Sequence, residues 1–249
     1  SYEMRQITEP MGSSFIYGGR QLGKTALLQE VQRRFHRPDQ GQIALFIDLD
    51  RHILNATDVY DEFWPHILNR LKREGIGEDL RTNAQPERIL EAVKEWLSAD
   101  EGRRLLLLLD EADRFLERDG TVEPNSSFGG QPFSQTRTLQ GAMQDTNRRF
   151  KVVFAGLHQV QRVTRDVNQP LVHLGEPLQI GPLNQNEEDL QSAMELVRHP
   201  LRAVGYNIDQ QTALQVLSET NYYPSLIQLY GKSLLGSLNR SPILKNPRV

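Results

Sequence analysis

The chain has no cysteine among its 249 residues, which excludes a disulfide framework or a thiolate metal site and makes a reducing cytoplasm the expected compartment. Long apolar runs are missing as well. None exceeds Leu105 to Leu109, far short of the roughly 18 residues that cross a bilayer, and no signal-peptide profile opens the sequence, so no membrane partner is expected. Neither sign of charge dominates: 29 Lys and Arg stand against 32 Asp and Glu, a net charge of −3. There is thus no global pull toward nucleic acid or anionic lipid, although local basic patches remain open. Internal repeats and low-complexity tracts are also lacking. What remains is a length sufficient for one α/β core with a small helical appendage.

Short apolar runs alternate with amphipathic stretches, the pattern of a parallel sheet covered on both faces. Strands are expected at Ser14 to Tyr17, Ile43 to Leu49, Arg104 to Leu109, Lys151 to Ala155 and Leu178 to Ile180. Leucine favours helix in Leu105 to Leu109, but the run is short and stops at Asp110, which argues for a buried strand. Helices are expected at Ala26 to His36, Asp58 to Lys72 and Pro86 to Leu97, with Trp64 and Trp96 read as core residues. Asp119 to Gln135, rich in Gly, Pro, Ser and Asn, reads as a long loop that would serve as a lid, a partner contact or a tolerated insertion. After Pro182 the pattern turns helical over Asn186 to Arg198, Asp209 to Thr220 and Ser225 to Leu238. The expectation is a five-stranded parallel α/β sheet sandwiched by helices over residues 1–183, then a small α-helical subdomain over 184–249.

Between the first strand and the first helix lies Gly18-Gly19-Arg20-Gln21-Leu22-Gly23-Lys24-Thr25, which fits G-x-x-x-x-G-K-[ST] in the strand-to-helix setting of a phosphate-binding loop. Glycines at 18, 19 and 23 allow unusual dihedrals and a close backbone approach to a triphosphate, with Arg20, Gln21 and Leu22 at the variable tip. The helix start, from Lys24 through Thr25 and Ala26, adds a positive N-terminus. Lys24 would set its ammonium on the β- and γ-phosphates, and the Thr25 hydroxyl would ligate a magnesium ion.

The partner of such a loop is an apolar strand ending in acids, here Leu105 to Leu109 followed by Asp110 and Glu111. Asp110 would hold the magnesium through a water, and Glu111 would orient and polarise the water that attacks the γ-phosphate. A polar side chain beyond the fourth strand can sense the γ-phosphate, which makes His158 and Gln159 candidate sensors. One of the arginines at 148, 149, 162 and 165 would add charge to a transition state.

The loop, the acidic motif, Val152 to Gly156 and the segment Thr220-Asn221-Tyr222-Tyr223-Pro224-Ser225-Leu226 together resemble the core of the signal-transduction ATPases with numerous domains, the STAND branch near the AAA+ and origin-recognition ATPases. The resemblance covers nearly the whole chain. It implies that Pro224, from the family's glycine-x-proline, contacts nucleotide, with Tyr222 in place of the glycine and Tyr223 either stacking on a base or packing. It also implies ATP rather than GTP, slow hydrolysis, nucleotide-dependent assembly into homo-oligomers, and protein partners or fused effector domains in a bacterial regulatory or defence protein. The early loop and the trailing C-terminus are those expected of a module cut from a longer chain. An alternative is an AAA+ ATPase of the origin-recognition or transposition-helper type acting on DNA, for which Arg148, Arg149 and Lys151 would form a basic face. A third is a scaffold that binds nucleotide without hydrolysis.

Overall fold

The computed structural model describes residues 2–52, 59–121, 132–156 and 175–240. Their packing falls into two units: one runs to Tyr17 and from Lys24 to Gln179, and the other joins Gly18–Gly23 to residues from Ile180 onward.

The first unit is built on five strands, β1 (Phe15–Tyr17), β2 (Gln42–Asp48), β3 (Arg104–Asp110), β4 (Phe150–Gly156) and β5 (Leu178–Gln179). All pairings are parallel and the order is β2-β3-β4-β1-β5. This is the expected sheet, with strand ends within a residue of expectation. Its helices are α1 (Tyr2–Thr8), α2 (Lys24–Phe35), α3 (Leu49–His52), α4 (Val59–Lys72), α5 (Pro86–Ser98), α6 (Asp113–Asp119) and α7 (Ser134–Asp145). Side chains alternate across the pleat. Ile43, Leu45, Leu105, Leu107, Leu109, Val152 and Phe154 therefore share one face and pack with Phe63, Trp64, Ile67, Val93 and Leu139 of α4, α5 and α7. On the other face Ala44, Leu106, Leu108 and Val153 are equally buried, as are Leu28 and Val31 of α2. Burial on both faces is why these strands read as unbroken apolar runs. Trp64 belongs to this core as expected, and Trp96 packs at its margin under the guanidinium of Arg103, 5.0 Å from the ring centroid.

Three elements depart from expectation. Leu49 opens α3 instead of closing β2, because the Asp48 carboxylate accepts from the Arg51 N–H at 3.0 Å and turns the chain. The expected loop from Asp119 to Gln135 is bounded by helix on both sides, since Asp119 closes α6 and Ser134 opens α7; its residues 122–131 lie outside the described residues. The N-terminus of α7 has no side-chain cap of its own and follows Phe133 at φ 60°. Its cap comes from Asp119: the buried carboxylate accepts from the N–H groups of Gln135 and Thr136 at 3.1 and 2.8 Å and from the Thr136 hydroxyl at 2.5 Å. Gln135 in turn accepts from the Trp64 indole at 2.6 Å, tying α7 to α4.

The third departure is α1, for which the sequence raised no expectation of a helix. Its C-terminal carbonyls are captured by two cations at the N-terminal ends of the strands. Lys151 Nζ donates to the Gln6 and Glu9 carbonyls at 3.0 and 2.6 Å, while Arg104 donates to Thr8 and stacks over Phe35, 5.2 Å from the centroid. Cations belong at a helix C-terminus, where the dipole is negative. Lys151 is 2% exposed, and Arg149 donates to the Leu97 and Asp100 carbonyls, so neither forms the basic face considered above.

In the second unit, α8 (Glu187–Ala203), α9 (Gln210–Glu219) and α10 (Pro224–Arg240) surround a small core of Ala193, Val197, Ala213, Val216, Leu217 and Ile227. Asn186 and Asp209 cap α8 and α9, each accepting a backbone N–H at 2.8 Å. Helix α8 continues through Pro200 to Ala203, past the expected stop at Arg198. Proline removes one helical N–H, but Val197 and Leu201 are buried on either side of it.

Two predictions follow from these ties. Asp119→Ala should cost about 2–4 kcal/mol in urea unfolding, because it strips the cap and leaves buried donors unpaired, whereas Asp119→Asn should lose less. An equal loss in both variants would contradict the capping role. For Lys151, burial and then the charges of Arg148 and Arg104 push the ammonium down to about 7, against Glu9 and the two carbonyl acceptors. A folded value below that of an unfolded lysine means fewer protons bound when folded, so this site's stability is lost as pH falls toward about 7 and regained as pH rises. The melting temperature of the wild type should therefore climb relative to that of Lys151→Met between about pH 7 and pH 9.5; parallel profiles would contradict it.

Candidate functional site

The segment Gly18 to Thr25 links β1 to α2, and each of its parts has a distinct reason for its residue type. Gly18 answers to space: an added Cβ would lie 2.4 Å from the Ile180 carbonyl oxygen. Gly23 answers to backbone conformation, at φ +91°. Gln21 also sits at positive φ, 66°, so the unusual dihedrals fall at 21 and 23 rather than at each glycine. Leu22 is buried, and a Cβ on Gly19 would come 3.3 Å from its Cδ1. Arg20 is exposed.

Lys24 and Thr25 are the first two residues of α2, followed by Ala26. That first turn holds no acidic side chain, so the positive end of a 12-residue helix is not neutralised by its own sequence. Lys24 is 7% exposed.

Facing this helix start is the end of β3. Asp110, 1% exposed, is hydrogen-bonded by the Thr25 hydroxyl and accepts from the Glu111 N–H at 3.1 Å. Burial raises the proton affinity of its carboxyl; the Thr25 and Glu111 hydrogen bonds and the Lys24 charge oppose that, and Asp48 adds to it. Glu111 is only partly buried, and its carboxyl is also raised, by burial first and then by the Asp110 charge. Its backbone is left-handed, at φ 52°, a conformation that costs a glutamate about 1–3 kcal/mol. The turn is held from behind by the Ala112 N–H, which donates to the Ala155 carbonyl at 2.8 Å. The start of α2 and the acidic motif, distant in sequence, thus converge at the C-terminal ends of the strands.

Asp48 was not anticipated. It closes β2 directly opposite Asp110 in register, and the signal for it was present in Ile47-Asp48, an apolar strand ending in an acid like β3. His158 and Gln159 lie outside the described residues, as do Arg162 and Arg165.

In the second unit, Ser225 Oγ donates to the Gln21 carbonyl at 2.9 Å, and a Cβ on Gly23 would lie 4.0 Å from Pro224 Cγ. Pro224, first residue of α10, therefore stands beside the loop. Tyr222 occupies φ 58°, a conformation that glycine adopts without strain, and packs against the helical core. Tyr223 lines an open cleft of about 560 Å³ with Pro182, Asn184, Ser218, Asn221, Tyr222 and Leu226.

The donor set suits a hard divalent cation: a hydroxyl and a buried carboxylate already in contact, with a lysine alongside. Among the described residues no group of three or more His, Asp or Glu is placed to hold a metal by itself. Magnesium characteristically takes one or two protein oxygens and completes its shell with phosphate and water. No helix of the described residues is long and apolar enough to cross a membrane.

Comparison with curated protein sequences finds no match. Among solved structures, the chain is similar to the Aeropyrum pernix ORC2 protein in its ADPNP–ADP complexes, with 17% identity and a TM-score of 0.59 over 95% of this chain and 62% of that one. The ADP form of the same protein matches at 16% identity and a TM-score of 0.52, over 96% of this chain and 62% of that one. The chain thus spans less than two thirds of those chains, and at such identity the likeness speaks for the fold. Residues 8–164 match the family model of the AAA domain, a span that holds Gly18 to Thr25, the strand-end acids and the inserted β4, and the chain belongs to the AAA domain family.

Proposed function

We propose that this chain binds ATP with magnesium and hydrolyses it slowly, as the switch module of a cytoplasmic STAND-type regulatory or defence protein. The observation that carries the nucleotide reading is the hydrogen bond between Thr25 and Asp110, because the loop and the acids are useful together only to a phosphate-bound cation. The ATPase reading is supported by Glu111 being next in the chain, partly exposed and in a left-handed backbone.

In this reading the loop N–H groups and the α2 N-terminus cradle the phosphates, and Lys24 sets its ammonium against the β- and γ-oxygens. Thr25 and Asp110 would hold the magnesium, which when bound neutralises phosphate charge in the transition state. Glu111 orients a water in line with the γ-phosphorus and takes its proton as the new P–O bond forms, while the β–γ bridging oxygen leaves with ADP. The raised proton affinity of Glu111 suits it to that proton. Pro224 and Ser225, beside Gly23 and Gln21, would let the helical unit respond to loop occupancy. Tyr223 would stack on a base or remain a packing residue of its cleft.

The switch reading is preferred to the DNA-acting alternative because Lys151 and Arg149 are committed to backbone carbonyls and because net charge is negative.

Calorimetric titration with Mg–ATP should give a saturable isotherm for the wild type and an affinity at least about 30-fold weaker for Lys24→Ala, the loss of a desolvated charge partner. Glu111→Gln should bind as tightly as wild type while phosphate release falls by about 10² to 10⁴-fold; equal rates in the two proteins would remove Glu111 from the mechanism. Light scattering should show a larger mass with ATP than with ADP if nucleotide governs assembly. Salt-dependent binding of duplex DNA accompanied by faster phosphate release would instead favour the DNA-acting alternative.

A further inference from the structure

The end of β2 carries a carboxylate for which the reading above has no use. Asp48 is the in-register partner of Asp110 across the parallel β2–β3 pair. In-register residues of neighbouring strands present their side chains to the same face. Asp110 uses that face to meet Thr25 at the start of α2, so Asp48 stands on the α2 side too, one strand further out, and its charge acts on Asp110. Asp48 is half-buried.

A structural duty accounts for half of the Asp48 carboxylate. Its Oδ1 accepts from the Arg51 N–H at 3.0 Å and caps α3. Asparagine would serve equally well as that cap. An aspartate beside another buried aspartate is the electrostatically worse choice unless a cation belongs nearby, since like charges at this separation repel.

The geometry points to Asp48 as a positioning residue for the magnesium site, one that would hold a water of the ion's shell. This inference rests on the magnesium reading proposed above. Outer partners of this kind fix the orientation of shell waters and raise affinity for the ion.

The test is a magnesium chloride titration of the full chain carrying a fluorescent ADP, read by anisotropy, for wild type and Asp48→Asn. The variant keeps the cap acceptor and removes only the charge. Expected is about a 10-fold rise in the magnesium concentration giving half the effect, with affinity for the fluorescent ADP in EDTA unchanged within about twofold. A half-effect concentration that stays within about twofold of wild type overturns the inference, as does an equal loss of affinity with and without magnesium, which would mark a structural role. If the wild type binds fluorescent ADP but its affinity ignores magnesium, the magnesium reading itself falls and takes this inference with it. The wild-type curve and the comparison of the two proteins thus fail separately.

Discussion

The hydrogen bond between the Thr25 hydroxyl and the Asp110 carboxylate is the contact on which the proposed chemistry depends. It exists because of strand order. The chain leaves β1 and returns as β2 at the far edge, with β4 and β3 lying between. Helix α2 must make that crossover, so it passes over β3 and β2, its Gln32 amide reaching the Ala44 carbonyl. Its first turn therefore meets the end of β3 at Asp110, with Asp48 in register on the next strand. Inserting β4 between the loop strand and the acid strand separates the two motifs along the sheet by the distance that α2 then spans.

The two edges of the same sheet have opposite electrostatic character. At the N-terminal ends of the strands, Arg104 and Lys151 are the buried groups, and the carbonyls of α1 satisfy them. At the C-terminal ends the buried carboxylate is Asp110, held by a hydroxyl, a backbone N–H and the nearby charge of Lys24, which is itself buried there. A buried charge without full compensation is expensive. The proposed magnesium would add to the compensation of the acidic edge, where Glu111 stands in a strained backbone beside Asp110. Ligand binding belongs on that side of a parallel α/β sheet for the same topological reason.

Much of this was legible in the sequence, and the reason is local. Strands buried on both faces leave continuous apolar runs, so five strands could be placed to within a residue. Gly18 to Thr25 and Asp110–Glu111 carry their chemistry in consecutive residues. What could not be read depends on partners far along the chain. The cap on α7 is Asp119, not a residue next to Ser134. α1 is held by Lys151 and Arg104; its own sequence is too short and too polar to announce a helix. Lys151 reads as a surface cation until the carbonyls of Gln6 and Glu9 are placed on it. Asp48 carried a signal of its own, an acid closing an apolar strand, but its place opposite Asp110 lies in the register of two strands distant in sequence. Even the glycines divide this way: Gly23 is required by its own backbone, Gly18 by the carbonyl of Ile180.

The central claim is that Thr25 and Asp110 form a single site joining phosphate to a divalent cation. It is tested most directly by the gain in ATP affinity that magnesium produces, measured by calorimetry with and without EDTA in the wild type and in Asp110→Asn, which preserves shape and most hydrogen bonding. The account predicts a clear gain in the wild type and its loss in the variant, with magnesium-free binding retained. A gain of equal size in both proteins would contradict it.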